Sequence, residues 1–445
     1  MRRHMLRKHA AKLSRPLRHN LLRERRLGGK QVSVPVIVRF GAKLTAARLH
    51  AMRRYAGIRR HQIIRRLPLL NALASNVSVR SLRRMCAWKG VRKVYLDSVK
   101  KTTLDIATPS IGSAAVAEKR GLTGKGTRIA IIDTGVFPHP DLTRPVNRIA
   151  AFRDFVNGRK RPYDDNGHGT HVAGDAAGNG WSSGGLFRGP APQADIVAVK
   201  AFDRNGEAYD SAIIQAIEWC IANRKRLRLR VLSMSFGGPA HGSCADDPLC
   251  QAIRKAVKAG LVVVAAAGNS GPRRGTIESP GNCRAAITVG AVDDRRSLAQ
   301  ADDRAAPFSS RGPAACARNK PDLAAPGDSI VSLRAPMSQL DRAYPFLRVG
   351  GAYFVLSGTS MSTPLVAGAV AQLLQRCPSL TPGRVKTLLK RHAFRLGAGA
   401  DAVGSGELDT RFLLRRNGKK GACRRNATST RPKRLQKSKP TETPE

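Results

Sequence analysis

The chain is short of acids. Its 445 residues include 79 Lys and Arg but only 30 Asp and Glu, giving a formal net charge of +49. A run of about 18 apolar residues is also missing, which excludes a membrane-spanning helix of ordinary length. No C-x-x-C pair occurs among the cysteines, and that argues against a zinc ribbon. Behind the basic start Met1-Arg2-Arg3 no apolar stretch follows, because Arg15, Arg18, Arg23, Arg25 and Arg26 interrupt it. A cleavable leader is therefore not readable, which leaves a cytoplasmic location or export by another route. No internal repeat is visible.

What is present is unevenly spread. Residues 1–101 hold 28 Lys and Arg against Glu24 and Asp97, and residues 411–445 hold 12 against Glu442 and Glu445. Basic ends of this kind suit weak binding to a polyanion, and they equally serve solubility alone; no nucleic-acid fold motif accompanies them. The eight cysteines are an even number, which suggests disulfides without fixing their pairing. Cys244 and Cys250 are close enough in sequence to close a short loop. Cys220 lies in an apolar helical stretch and is expected to be a buried thiol.

The pattern divides the chain into four parts. Residues 1–31 read as a basic flexible extension. Residues 32–101 read as a small domain. Its strands are expected at 32–40, 63–70, 72–77 and 91–96, and its helices at 45–55 and 79–87. This order, β-α-β-β-α-β, is that of the ferredoxin-like α+β split motif. Residues 102–413 alternate apolar strands with helices, so an α/β fold with a doubly wound, mostly parallel sheet is expected. Residues 414–445 are polar and basic, as in a disordered tail.

Three short motifs stand out in the larger part. Ile131-Ile132-Asp133-Thr134-Gly135 puts a carboxylate at a strand end. Asn166-Gly167-His168-Gly169-Thr170-His171 carries two imidazoles. Ser357-Gly358-Thr359-Ser360-Met361-Ser362 precedes an apolar helix. Alone, each has a bland explanation: a turn residue, a structural histidine, a helix cap. Together they supply what a hydroxyl nucleophile requires. A neutral imidazole takes the proton, and a buried carboxylate fixes the imidazole tautomer. A fourth segment, Ala265-Ala266-Ala267-Gly268-Asn269, ends a buried strand with an amide side chain suited to holding an oxyanion.

These motifs resemble those of the subtilisin-like serine peptidases, or subtilases, over about residues 105–413. The resemblance implies a subtilisin-like fold and a serine endopeptidase acting on polypeptides through an acyl-enzyme. Asp133 is then the orienting acid, His168 the base, Ser360 the nucleophile, Asn269 the oxyanion donor and His171 a structural support. In Ser233-Met234-Ser235-Phe236-Gly237-Gly238, residues Ser235, Gly237 and Gly238 match the family's substrate-binding strand. Pro35 to Phe40, Leu67 to Ala74 and Val91 to Asp97 resemble the propeptide that inhibits many subtilases from within the same chain. No cofactor is implied for the chemistry. Structural calcium is common in the family, and Asp141 matches a ligand position, although 178–189 contains no carboxylate. Glu278 falls where the family usually has a small residue on the pocket floor. A carboxylate there favours Lys or Arg before the cut, and Lys100-Lys101 is a matching self-cleavage site. The competing expectation is a surface pair between Glu278 and Arg273 or Arg274.

Overall fold

The protein was analysed as a computed structural model, which describes residues 9–14, 17–18, 21, 33–59, 62–97, 99–102, 110–240 and 243–415. Most of the basic extension and of the tail lies outside the described residues, and with them the expectation of polyanion binding.

The first domain has strands β1 (Ser33–Phe40), β2 (Ile63–Leu67), β3 (Ala72–Ser78) and β4 (Val91–Leu96), with helices α1 (Ala46–Ala56) and α2 (Val79–Ala87). The sheet order is β2-β3-β1-β4, antiparallel throughout, as the split motif requires. Helix α1 begins where expected because the Thr45 hydroxyl accepts from the Arg48 N–H. Strand β2 is shorter than its apolar run suggests. Pro68 opens a single 3-10 turn, and Asn71 closes it in the left-handed region. The extension is not wholly free. Leu13, Leu17 and Leu21 are buried against Val34, Val38 and Val94 in this domain's core. Leu13 is extended and bridges parallel to Val94.

The second domain is built on an eight-stranded sheet. Its central strands are β6 (Arg128–Asp133), β7 (Ile149–Asp154), β8 (Asp195–Lys200) and β10 (Leu229–Met234). Strands β12 (Val262–Ala266), β13 (Ile287–Asp293), β14 (Arg304–Ala305) and β15 (Leu323–Pro326) complete it. The pairing is parallel except between β13 and β14. Helices α3 (His168–Ala177) and α6 (Thr359–Arg376) cover one face, and α4 (Asp210–Asn223) and α5 (Pro248–Lys258) the other. The strands are apolar on both sides for this reason. No helix among the described residues is long and apolar enough to cross a membrane.

The first domain lies on α4 and α5. Ile37, Ala74 and Tyr95 from its sheet share a core with Ile214, Leu249 and Ile253. Polar contacts rim this patch: Leu69 N–H donates to Glu218 at 2.6 Å, and Lys93 pairs with Asp246 at 2.8 Å. The Asp97 carboxylate accepts from the Ser211 N–H, in the first turn of α4, at 2.9 Å. The accepting oxygen faces the N-terminal end of the helix. Beyond Asp97 the chain forms β5 (Val99–Thr102), which runs between β9 (Glu207–Tyr209) and β11 (Phe236–Gly237) and pairs antiparallel with both.

Candidate active site

Strands β6, β10 and β12 end at the same edge of the sheet, where a parallel α/β fold leaves its crevice. Asp133 terminates β6 and is 1% exposed. Its Oδ1 accepts from the Thr134 N–H at 2.7 Å and lies 2.8 Å from His168 Nδ1. The Nδ1 proton therefore points at the carboxylate, and Nε2 is the basic nitrogen. His168 opens α3, with its N–H held by Asn166 Oδ1 at 3.1 Å. The next residue has to be glycine. A Cβ on Gly169 would collide with the Gly135 carbonyl and crowd Asp133.

Two residues that sequence reasoning passed over hold this corner. Asp164 is buried and accepts five hydrogen bonds. They come from Thr134 Oγ1, the Asn166, Gly167 and Thr170 N–H groups, and Thr170 Oγ1. Lys200 ends β8 opposite Asp133 and is fully buried. Its Nζ donates to Thr134 O and Asp165 Oδ1, both at 2.6 Å, and to Phe202 O at 2.9 Å. The signal was a lysine closing the apolar strand Asp195-Ile196-Val197-Ala198-Val199. A buried ammonium needs such acceptors. His171 is turned away from this chemistry. Asp175 takes its Nδ1, and the carbonyls of Ile330 and Phe354 take its Nε2.

Ser360 lies in the first turn of α6 and is buried. The preceding Thr359 donates to Asn269 Oδ1 from both its N–H and its hydroxyl, each at 3.0 Å. Thr359 Oγ1 in turn accepts from the Gly268 N–H at 3.1 Å. With its oxygen committed, the Asn269 side chain offers its NH2 group as donor. Thr359 was not singled out from the sequence, although it adjoins the serine motif.

The Glu278 side chain reaches this same place. Its Oε1 accepts from the Asn269 N–H at 3.2 Å and the Ser270 hydroxyl at 2.7 Å. A Cβ on either Gly237 or Gly268 would collide with the carboxylate, so it occupies room that only those two glycines leave. Oε2 accepts no hydrogen bond from the described residues. Arg274 pairs with Asp401 at 2.9 Å, and the expected surface pair with Glu278 is not made. Gly238 bridges back to Ser279, which joins the Ser235–Gly238 segment to the segment carrying Glu278.

Asp141 does not fit a calcium ligand. Its Oδ1 accepts from the Ser182 N–H at 3.0 Å, and its Oδ2 accepts from the Tyr353 hydroxyl at 2.8 Å. Burial pushes this carboxyl up, but donors from His139, Ser182 and Tyr353 outweigh it and hold it down. A calcium ion needs six or more oxygen ligands, whereas hydrogen-bond donors converge here. Cys250 is bonded to Cys283, not to Cys244, so the short loop expected from the sequence is not closed by that pair. Cys220 is a buried thiol, as expected.

Known proteins share this fold. Residues 124–428 match the model of the subtilase family. Serine protease AprX of Bacillus subtilis is 45% identical over 339 residues, 75% of this chain and 76% of its own length. Subtilisin Savinase of Lederbergia lenta is 38% identical over 302 residues, 68% of this chain and 96% of its own. The crystal structure of fervidolysin from Fervidobacterium pennivorans, a keratinolytic enzyme related to subtilisin, superposes with a TM-score of 0.67 at 22% identity. That superposition covers 87% of this chain and 61% of that one, and it supports the fold. With its Asp133–His168 pair set at the strand ends of a doubly wound sheet, the chain belongs to the subtilase family and is a subtilisin-like serine protease.

Proposed function

We propose that this protein is an endopeptidase made as a self-inhibited zymogen, with Ser360, His168 and Asp133 as its triad. The observation that carries the reading is the 2.8 Å contact between His168 Nδ1 and Asp133 Oδ1, which leaves Nε2 as the base. A peptide lying beside β11 is held by main-chain hydrogen bonds, as an added strand. Ser360 Oγ attacks the carbonyl carbon while Nε2 takes its proton. The oxyanion is met by the Asn269 amide, which Thr359 keeps turned the right way. Nε2 then protonates the leaving amine, and water releases the acyl group by the same path in reverse. These side chains supply every proton and charge the reaction needs, without a cofactor.

Two finer points belong to the same proposal. Strand β5 fills the position of the substrate strand, so the first domain inhibits with its own C-terminal end. Lys101 is opposite Gly237 and Thr102 opposite Phe236, which favours a first cut beyond Thr102, not next to Lys100 or Lys101. Glu278, between Gly237 and Gly268, gives the pocket an unpaired carboxylate oxygen and favours Lys or Arg before the cut in substrates. Residues 103–109 hold neither, so the self-cut does not support this preference, which rests on Glu278 alone. The test is a fluorophosphonate probe on purified enzyme. Wild type is labelled at Ser360 and appears shortened by self-cleavage, whereas Ser360→Ala is unlabelled and full length. Loss of the nucleophile in subtilisin, a worked case of this chemistry, costs on the order of a million-fold in kcat. Normal processing in purified Ser360→Ala would refute the triad.

A further inference from the structure

Four cysteines from three segments meet at the segment that carries Glu278. Cys250, in the first turn of α5, is bonded to Cys283. Cys244 is a thiol whose sulfur lies 3.0 Å from Cys250 Sγ, inside van der Waals contact. Cys316 completes the group. Its sulfur lies within 4.8 Å of those of Cys244 and Cys250, and 3.6 Å from Asn282 Nδ2. Cys250 and Cys283 are fully buried, whereas Cys244 is only partly covered. Cys316 is partly covered as well, so solvent reaches the group at these two thiols and not at either bonded sulfur, and Cys244 is the one in contact with the bridge.

We propose that Cys244 is a thiol-exchange site for the Cys250–Cys283 bridge and the entry point for small thiols that reduce it. Cys244, as thiolate, attacks Cys250 Sγ. One S–S bond forms between Cys244 and Cys250 while the Cys250–Cys283 bond breaks. Cys283 leaves as thiolate and takes up the proton that Cys244 gave away, so no oxidant is consumed. The new bridge has its accessible sulfur at Cys244. A small thiol attacks there, expels Cys250 as thiolate and leaves a mixed disulfide, which a second thiol resolves.

The surroundings suit this chemistry. Attack requires the thiolate. The Cys244 thiol is pulled down chiefly by a hydrogen bond from Cys316, and further by the Arg284 N–H and the Arg254 charge. Burial and Asp247 oppose this. The Cys316 thiol is pushed up correspondingly, so it stays protonated as the donor. Cys86 and Cys220 have no such setting; burial alone pushes Cys220 up and dominates at Cys86. The exchange also changes how the Glu278 segment is held. In one arrangement Cys283 fastens it covalently to α5. In the other the hydrogen bonds of Ser279 and Asn282 to Asp247 remain as the ties between them.

The experiment uses full-length protein with Ser360→Ala, which cannot digest itself. It is incubated with reduced glutathione, quenched in acid, alkylated and mapped by mass spectrometry. A minor Cys244–Cys250 peptide is expected before reduction. Loss of the Cys250–Cys283 bridge is expected to be at least about tenfold slower in Cys244→Ser, with Cys86→Ser unchanged. Should Cys244→Ser fail to fold, Cys244→Ala gives the same comparison. Equal reduction rates with and without a Cys244 thiol would overturn the proposal. So would a complete Cys244–Cys316 bridge in the unreduced protein, or one tightly bound zinc per chain.

Discussion

The backbone N–H of Asn269 donates to Glu278 Oε1 at 3.2 Å, so the residue whose side-chain amide is proposed to hold the oxyanion is tied through its backbone to the carboxylate proposed to read the substrate. On that proposal, choice of substrate and speed of reaction are coupled at this contact.

Glu278→Gly is therefore expected to change two things at once. In a pair of peptides differing only in Lys or Phe before the cut, the ratio of kcat/KM shifts toward Phe by at least about tenfold, because the partly buried carboxylate no longer loses its remaining solvation against an apolar ring. The kcat for both falls by a smaller factor, as Asn269 loses an acceptor. An unchanged ratio places Glu278 outside the pocket and removes the basic preference.

Asn269→Ala is expected to lower kcat by roughly a hundred- to a thousand-fold with little change in KM, since the amide acts on charge that develops during reaction. Thr359→Val is expected to produce a milder loss of the same type, because the NH2 group remains but its orientation is less secure. A defect mainly in KM for either variant would assign Asn269 to substrate binding.

Docking of the first domain is expected to depend on pH through Asp97. Burial pushes this carboxyl up to about 7 in the docked state. Asp210 adds to the effect, while Ser211 and Arg65 oppose it. Free in water, an Asp titrates near 4. Between roughly pH 4 and 7 the docked form therefore holds the extra proton, and affinity rises by up to tenfold for each unit the pH falls. Above about 7 the ionised carboxylate weakens docking to a plateau. Calorimetry of residues 1–102 added to the Ser360→Ala protease domain should show uptake of up to one proton near pH 5.5. Asp97→Asn should abolish that uptake.

Lys200→Met removes an ammonium that satisfies two carbonyls and Asp165 beneath the triad corner. A loss of about 3 kcal/mol in stability is expected, because the partners stay buried without a donor. Thermal unfolding in the Ser360→Ala background measures it. A shift within error would mean that water replaces the ammonium.

The sequence was most informative where chemistry is local. Asp133, His168, Asn269 and Ser360 each sit in a motif whose strand or helix context is readable nearby. The ferredoxin-like order was legible for the same reason, since each strand and helix carries its own period and caps. Residues whose roles depend on distant partners were harder to see. Lys200 closes an apolar strand, and its acceptors come from Thr134, Asp165 and Phe202. Asp141 matched a metal-ligand position by local pattern. Tyr353, more than two hundred residues away, supplies the donor that makes it a hydrogen-bonded anion instead. Leu13, Leu17 and Leu21 were hidden by the arginines between them, because a flanking charge dilutes the apolar signal without turning the leucines outward.

Strand β5 has a partner on each side, and two spacings between neighbouring strands amount to roughly 9–10 Å. If β5 departs, as the zymogen proposal has it, what remains is a slot one strand wide between two unpaired edges. A helix is too thick for it, and a strand already in a sheet arrives with one edge taken. A folded protein can enter only after a segment has come away from its own neighbours. The opening free energy of that segment then adds to the barrier for cleavage. On that proposal, proteins in their native state are spared in proportion to their local stability, and loosened or damaged chains are cut first.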